Sequence, residues 1–165
     1  MQIRDATTDD LPGIFAIYDE QVLHGTATFD TVPKTLPERI EWFNANPGGR
    51  YPILVAQENG EIAGWARLYQ WSPRRAYDRT AENAVYVRAD CRGQGTGRLL
   101  LQALLERAPQ IGIAVVIARI VEGNPGSLRL HQTLGFQNIG VMSRVGEKFG
   151  RLLNVRLMER QLDMS

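Results

Sequence analysis

Three glycines alternate in the run Arg92-Gly93-Gln94-Gly95-Thr96-Gly97. A strand-like stretch, Ala84-Val85-Tyr86-Val87-Arg88, precedes it, and a helix-like stretch from Arg98 to Leu105 follows. The chemistry open to such a run is anion binding. Glycine admits φ > 0 and lets a ligand come close to the main chain. Successive N–H groups at the start of a helix converge on a phosphate, and the helix dipole adds to the attraction. A pyrophosphate is therefore the expected ligand group. A Walker loop ends in Gly-Lys-Ser/Thr, but Arg98 and Leu99 follow Gly97. A dinucleotide fingerprint spaces its glycines G-x-G-x-x-G, and here they run G-x-G-x-G. The pattern that fits is Arg/Gln-x-x-Gly-x-Gly/Ala, met by Arg92, Gly95 and Gly97.

That loop needs a strand before it and a helix after it, and the rest of the chain supplies a frame. Gln2–Ala6 reads as a first strand. A helix begins at Thr8, capped by Thr7 or Thr8, with Leu11, Ile14, Ile17 and Tyr18 at helical spacing. Gly25–Phe29 is a loop, and Leu36–Asn46 a second helix ended by Pro47-Gly48-Gly49. Tyr51–Ala56 and Ile62–Tyr69 are strands joined by an Asn59-Gly60 hairpin turn. Trp71–Thr80 is an irregular loop rich in arginine and aromatics. Asn83–Arg88 is the strand before the glycine run, and Thr96–Ala108 the helix after it. Ile113–Ile120 is an apolar, central strand, and Ser127–Leu134 a short helix closed by Gly135. Phe136–Met142 and Asn154–Gln161 read as two final strands. The order implies one mixed sheet with helices on both faces.

Composition narrows the class. The 165 residues suit one domain, and 44% hydrophobic content supports a packed core. A net charge of +1 gives no general pull toward nucleic acid or membrane. Arg74, Arg75 and Arg79 make either a local anion site or a solvated face. Cys91 is the only cysteine, which excludes an intramolecular disulfide and argues against a cysteine-rich zinc site; no metal is expected. It reads as a small buried or half-buried side chain. No signal-like or membrane-spanning run is present, so the cytoplasm is the expected location.

The layout resembles the Gcn5-related N-acetyltransferase (GNAT) family, whose pyrophosphate loop has the Arg92–Gly97 pattern. Asn124-Pro125-Gly126-Ser127, then His131 and Leu134-Gly135-Phe136, is similar to the family's Asn-to-Gly-Phe segment. The seventh position after the Asn is commonly Tyr; here it is His131. Ala76-Tyr77-Asp78-Arg79-Thr80-Ala81-Glu82 with Val85-Tyr86-Val87 resembles the phosphinothricin and methionine sulfoximine/methionine sulfone acetyltransferase branch. Lys148-Phe149-Gly150-Arg151 and Gln161-Leu162-Asp163 fit the same branch. The resemblance runs from Ile3 to Asp163. It implies an α/β (α+β) GNAT fold, with a mixed, mostly antiparallel sheet of about seven strands. It also implies acetyl-CoA as cosubstrate, a small amino-acid-like acceptor and a homodimer. The expected coenzyme residues are Val85, Val87, Arg92, Gly93, Gln94, Gly95, Thr96, Gly97, Arg98, Asn124, Ser127 and His131.

The same resemblance assigns Glu82 as general base. An α-ammonium must lose a proton before it can attack a thioester, and a nearby carboxylate can take it. A strand-edge carboxylate is the other reading. Main-chain N–H near Val87 can stabilise the oxyanion. His131 is the candidate proton donor to the departing thiolate, or else binds coenzyme A or packs on its helix. His24 reads as a surface or capping residue. Arg74, Tyr77, Thr80 and Phe29 fall at positions expected to contact the acceptor, with Phe29 as core filler the alternative. Two further functions stay open: acetylation of a polyamine, aminoglycoside or protein N-terminus, and noncatalytic acyl-CoA sensing.

Overall fold

The computed structural model describes residues 1–46 and 49–164. Seven strands form one sheet in the order β1-β2-β3-β4-β5-β7-β6. They are β1 (Gln2–Asp5), β2 (Ile53–Glu58), β3 (Glu61–Gln70), β4 (Thr80–Val87), β5 (Val115–Val121), β6 (Gln137–Lys148) and β7 (Arg151–Gln161). Every neighbouring pair is antiparallel except β4–β5. Helices α1 (Leu11–His24) and α2 (Leu36–Asn44) cover one face, while α3 (Thr96–Arg107) and α4 (Pro125–Thr133) cover the other.

Each face has its own core. On the first, Leu11, Ile14, Phe15 and Ile17 of α1 pack on Val55 and Trp65. On the second, Leu100, Leu101, Leu104 and Leu105 of α3 pack on Leu54, Ala66, Leu68, Val116 and Ile120. Strand β4 serves both cores by simple alternation: Ala84 and Tyr86 join the first, Ala81 and Val85 the second.

Element boundaries shift where capping or a bulge intervenes. Thr8–Asp10 is a short 3₁₀ turn, and α1 starts only at Leu11. The Asp10 carboxylate accepts the Thr7 N–H at 2.8 Å and is gripped by both arms of Arg4 at 2.8 Å. The hairpin turn has φ of 52° at Asn59 and 83° at Gly60, the paired left-handed conformation its sequence demands. Helix α2 ends at Asn44; Pro47 and Gly48, read as its stop signal, lie outside the described residues. The last two strands run well past the sequence reading, because β6 continues through a bulge between Met142 and Gly146.

Candidate active site at the parting of two strands

Strands β4 and β5 pair over three positions only, Thr80↔Val115, Ala81↔Val116 and Glu82↔Ile117, and then diverge. The Arg88 N–H donates to Ala63 O, toward β3. By alternation, the main-chain groups of residues 83, 85 and 87 face the other way, toward the gap left by β5. The gap is a cleft of about 460 Å³, lined on one side by residues 82–86 and on the other by residues 118–121. It connects the two faces of the sheet.

Glu82 stands where the strands part. Arg119 of β5 grips it with two parallel bonds, Nε to Oε1 at 2.6 Å and Nη2 to Oε2 at 2.7 Å. The Glu82 side chain is only 16% exposed, whereas that of Arg119 is 53% exposed. The bonds to Glu82 push the Arg119 guanidinium above its usual range, and it lies 5.9 Å from the Trp71 ring. Each carboxylate oxygen retains a further lone pair for a proton. Glu82 and Arg119 are the charged residues among those lining the cleft.

On the opposite face, Asn83 ties the parted strands to α4. Its Nδ2 donates to Ile117 O at 3.2 Å, which turns Oδ1 toward His131 Nε2, 3.0 Å away. His131 Nδ1 lies 2.8 Å from Ser127 O. The imidazole is 4% exposed and meets the Phe136 ring edge-on at 4.9 Å. Burial lowers its pKa, against a smaller upward pull from the Ser127 carbonyl. Both ring nitrogens thus face protein acceptors. Asn124 caps α4 by accepting the Ser127 N–H at 3.2 Å.

The glycine run closes the α3 side. Gly93 and Gly95 have φ of 72° and 89°, and open space lies where a Cβ would stand. The first bond of the helix joins Leu99 N–H to Gly95 O; the amides of Thr96, Gly97 and Arg98 precede that ladder, as at any helix start. Arg92 Nε donates to Val87 O at 3.1 Å and Gln94 Nε2 to Asp90 O at 2.9 Å. Gly97 serves packing instead. A Cβ there would meet Leu130 at 3.3 Å and Val87 at 3.5 Å, so the glycine lets α3 sit close to α4 and β4. Open glycines, helix-start amides that precede the ladder and a β4 edge that, among the described residues, has no strand partner beyond Glu82 together fit a pyrophosphate joined to an extended arm. Thr96, Gly97 and Arg98 would hold the phosphates, and Val85 and Val87 the arm.

At the α1 end, Phe29, Tyr86, Met142, Val145 and Val155 form an apolar wall. Phe29 is 41% exposed and its ring lies against Gly146, where any Cβ would collide with it. Its loop is pinned on both sides. Tyr86 OH donates to Ala27 O at 3.2 Å, and Tyr18 OH donates to Asp30 Oδ2 at 2.5 Å. Lys148, at the end of β6, is 4% exposed and donates to Gln21 O at 2.9 Å and Thr28 O at 3.0 Å. Burial lowers the Lys148 pKa, with Asp30 pulling the other way. Among the described residues, no group of three or more His, Cys, Asp or Glu side chains is gathered to hold a metal.

Residues 14–136 match the acetyltransferase (GNAT) family. The chain belongs to the GNAT family. It is 47% identical over 162 residues to an L-methionine sulfoximine/L-methionine sulfone acetyltransferase of Pseudomonas paraeruginosa, covering 98% of this chain and 94% of that one. A putative acetyltransferase from Salmonella typhimurium, solved with its cofactor acetyl-CoA, superposes with a TM-score of 0.95 at 38% identity, covering 99% of this chain and 94% of that one. A phosphinothricin acetyltransferase from Sinorhizobium meliloti in complex with acetyl-CoA gives 0.93 at 36% identity, covering 98% and 88%. The seven-stranded mixed sheet is the GNAT fold, and the chain is an N-acetyltransferase of that family.

Within this GNAT cleft the structure gathers Phe29, Glu82, Val85, Asn124, Ser127 and His131. Val87 and the exposed Arg92, Gly93, Gln94, Gly95 and Arg98 flank it, while Thr96 is buried. Arg74 and Tyr77 lie exposed on the loop after β3, and neither they nor Thr80 line the cleft. Lys148, the first residue of the Lys148–Arg151 run, is buried within its own subunit. Cys91 is buried and His24 exposed. Sequence reasoning missed Arg119 and Asn83. The available signal for Arg119 was an arginine alone inside the apolar run Val115–Val121.

Proposed function

We propose that this enzyme transfers the acetyl group of acetyl-CoA to the α-amine of a small amino-acid-like acceptor of the methionine sulfoximine, methionine sulfone or phosphinothricin type. Bound acetyl-CoA supplies an acetyl group as a thioester. The observation that carries the reading is the Glu82 carboxylate at the parting of the strands, between the helix-start loop and the Phe29 wall. Glu82 takes a proton from the acceptor ammonium, leaving an amine able to attack. The Val87 N–H, facing the cleft, donates to the oxygen that becomes negative. Collapse breaks the C–S bond, and the surplus proton of the attacking nitrogen passes to the departing sulfur, so that the amide and the free thiol are the products and no covalent enzyme intermediate is required. His131, clasped by Asn83 and Ser127, acts first by fixing α4 against the cleft; giving a proton to the thiolate would cost it one of those contacts. The test is release of coenzyme A thiol across methionine sulfone, methionine sulfoximine, phosphinothricin, a polyamine and an aminoglycoside. Preference for either cation-rich amine would overturn the reading.

The single domain, residues 1–165, would work in the cytoplasm as a homodimer. Edge strand β6, the turn beyond it and the start of β7 carry Ile139, Val141, Val145, Phe149 and Leu152, each 42–55% exposed. An apolar sheet edge of this kind favours self-association, and Val145 also lines the cleft. Sedimentation at working concentration should give the mass of two chains; a fully active monomer would defeat the dimer.

A further inference from the structure

We propose that Arg119 anchors the acceptor's carboxylate through the free edge of its guanidinium, while Glu82, gripped by the other edge, receives the acceptor's ammonium. This rests on the amino-acid reading of the acceptor. A guanidinium carries five N–H donors in a planar array. Glu82 uses the side-on pair, Nε and Nη2. Among the described residues, no hydrogen bond reaches Nη1. The end-on pair, Nη1 with the second N–H of Nη2, therefore remains for another carboxylate in the same bidentate manner.

Three observations support that use. Arg119 lines the cleft, whereas Arg74 and Arg75 are exposed on a loop outside its lining. Its side chain is 53% exposed against 16% for Glu82, so the unoccupied edge is the accessible one. The Trp71 ring at 5.9 Å flanks the guanidinium and limits where it can swing. Charge completes the case. The cleft lining carries one carboxylate and one guanidinium. A zwitterion adds one charge of each sign beside its complement. A polyamine adds only positive charge and meets Arg119 as a like charge. The ion pair thus selects an α-amino acid over a simple amine, and it orients the nitrogen toward Glu82.

Methionine sulfone and its decarboxylated amine separate the possibilities. The wild type should favour the acid. In Arg119→Gln, the ratio of kcat/KM for acid over amine should fall about 10- to 100-fold, the range for losing charge-assisted hydrogen bonds. Loss of the grip on Glu82 should change acid and amine by a common factor, and the additional fall in the ratio should come through KM of the acid. Arg119→Lys keeps the charge without the planar pair and should retain part of the ratio. Acetyl-CoA affinity by calorimetry should match the wild type in both variants, which establishes that they are folded. If Arg119 only braces Glu82, acid and amine decline together with an unchanged ratio, and the proposal is wrong. A ratio that collapses in Arg74→Ala instead would also overturn it. A wild type indifferent to the carboxylate would sink the amino-acid reading itself, a result distinct from either.

Discussion

Lys148→Met offers a sharp test of how the acceptor wall is held. Lys148 is 4% exposed, and its ammonium makes two bonds to main-chain carbonyls, Gln21 O in the last turn of α1 and Thr28 O beside Phe29. Each charge-assisted bond is worth roughly 1.5–3 kcal/mol, and deletion also takes from Thr28 O the donor it has here, whereas Gln21 O still accepts the Gly25 N–H. Relief of the lysine's own desolvation offsets part of this. A net loss of about 2–4 kcal/mol is expected. At about 2–4 °C per kcal/mol for a chain of this size, the midpoint of thermal unfolding should drop by ~4–16 °C. The functional effect should be one-sided. Thr28 loses a tether, so the Phe29 wall loosens and the KM for the acceptor rises several-fold. The proposed acetyl-CoA site lies on the α3 and α4 face of the sheet and should keep its affinity. Differential scanning fluorimetry, steady-state kinetics and acetyl-CoA calorimetry read the three quantities. An unchanged midpoint, or equal losses for acceptor and coenzyme, would refute the tether.

Three other outcomes follow from the site. Gly95→Val forces a β-branched residue to φ near 89°, a strain of roughly 1–2 kcal/mol; acetyl-CoA affinity by calorimetry should fall about tenfold or more while the circular dichroism spectrum persists. Glu82→Gln should lower kcat by roughly 100-fold or more at neutral pH, with the deficit shrinking at high pH, where the amine loses its proton unaided; an undiminished neutral rate removes Glu82 from the mechanism. His131 is buried with its pKa below the ordinary value, so the unfolded chain binds its proton first as pH falls. Its contribution to stability is complete above about pH 6.5 and is lost as the medium becomes more acidic. His131→Gln should flatten that part of the thermal stability profile, and an unaltered slope would disconnect His131 from it.

Local signals in the chain fix much of this architecture. Asn59-Gly60 specifies its hairpin, and alternating glycines specify the turn into α3, because each needs a backbone conformation that few residues adopt. The extent of β6 is not legible, since Ser143 to Val145 interrupt the alternation at a bulge. There Arg144 takes φ of 57° and its N–H donates to Asn154 Oδ1 at 2.7 Å. Glu82 and His131 can be singled out because they sit at fixed distances from recognisable motifs, and both line the cleft. Arg119 and Asn83 belong to no motif. Their meaning arises only when β5 is laid beside β4, 37 residues away for the Glu82–Arg119 pair and 48 for Asn83–His131. The burial of Lys148 is hidden from the sequence for the same reason: it arises only when α1 is packed against the β6–β7 turn, 127 residues away.

Strand β4 behaves as a two-sided ruler. Residues 82, 84 and 86 meet the α1 side of the sheet, while residues 83 and 85 meet the side of α3 and α4. On the proposed function, the choice of amine and the grip on the donor are written on opposite surfaces of one eight-residue segment. A substitution on the Phe29, Met142 or Val145 wall can reshape the acceptor without passing through the donor's contacts. Such a molecule can drift from one amine to another by small steps, each leaving the costly half of its recognition intact.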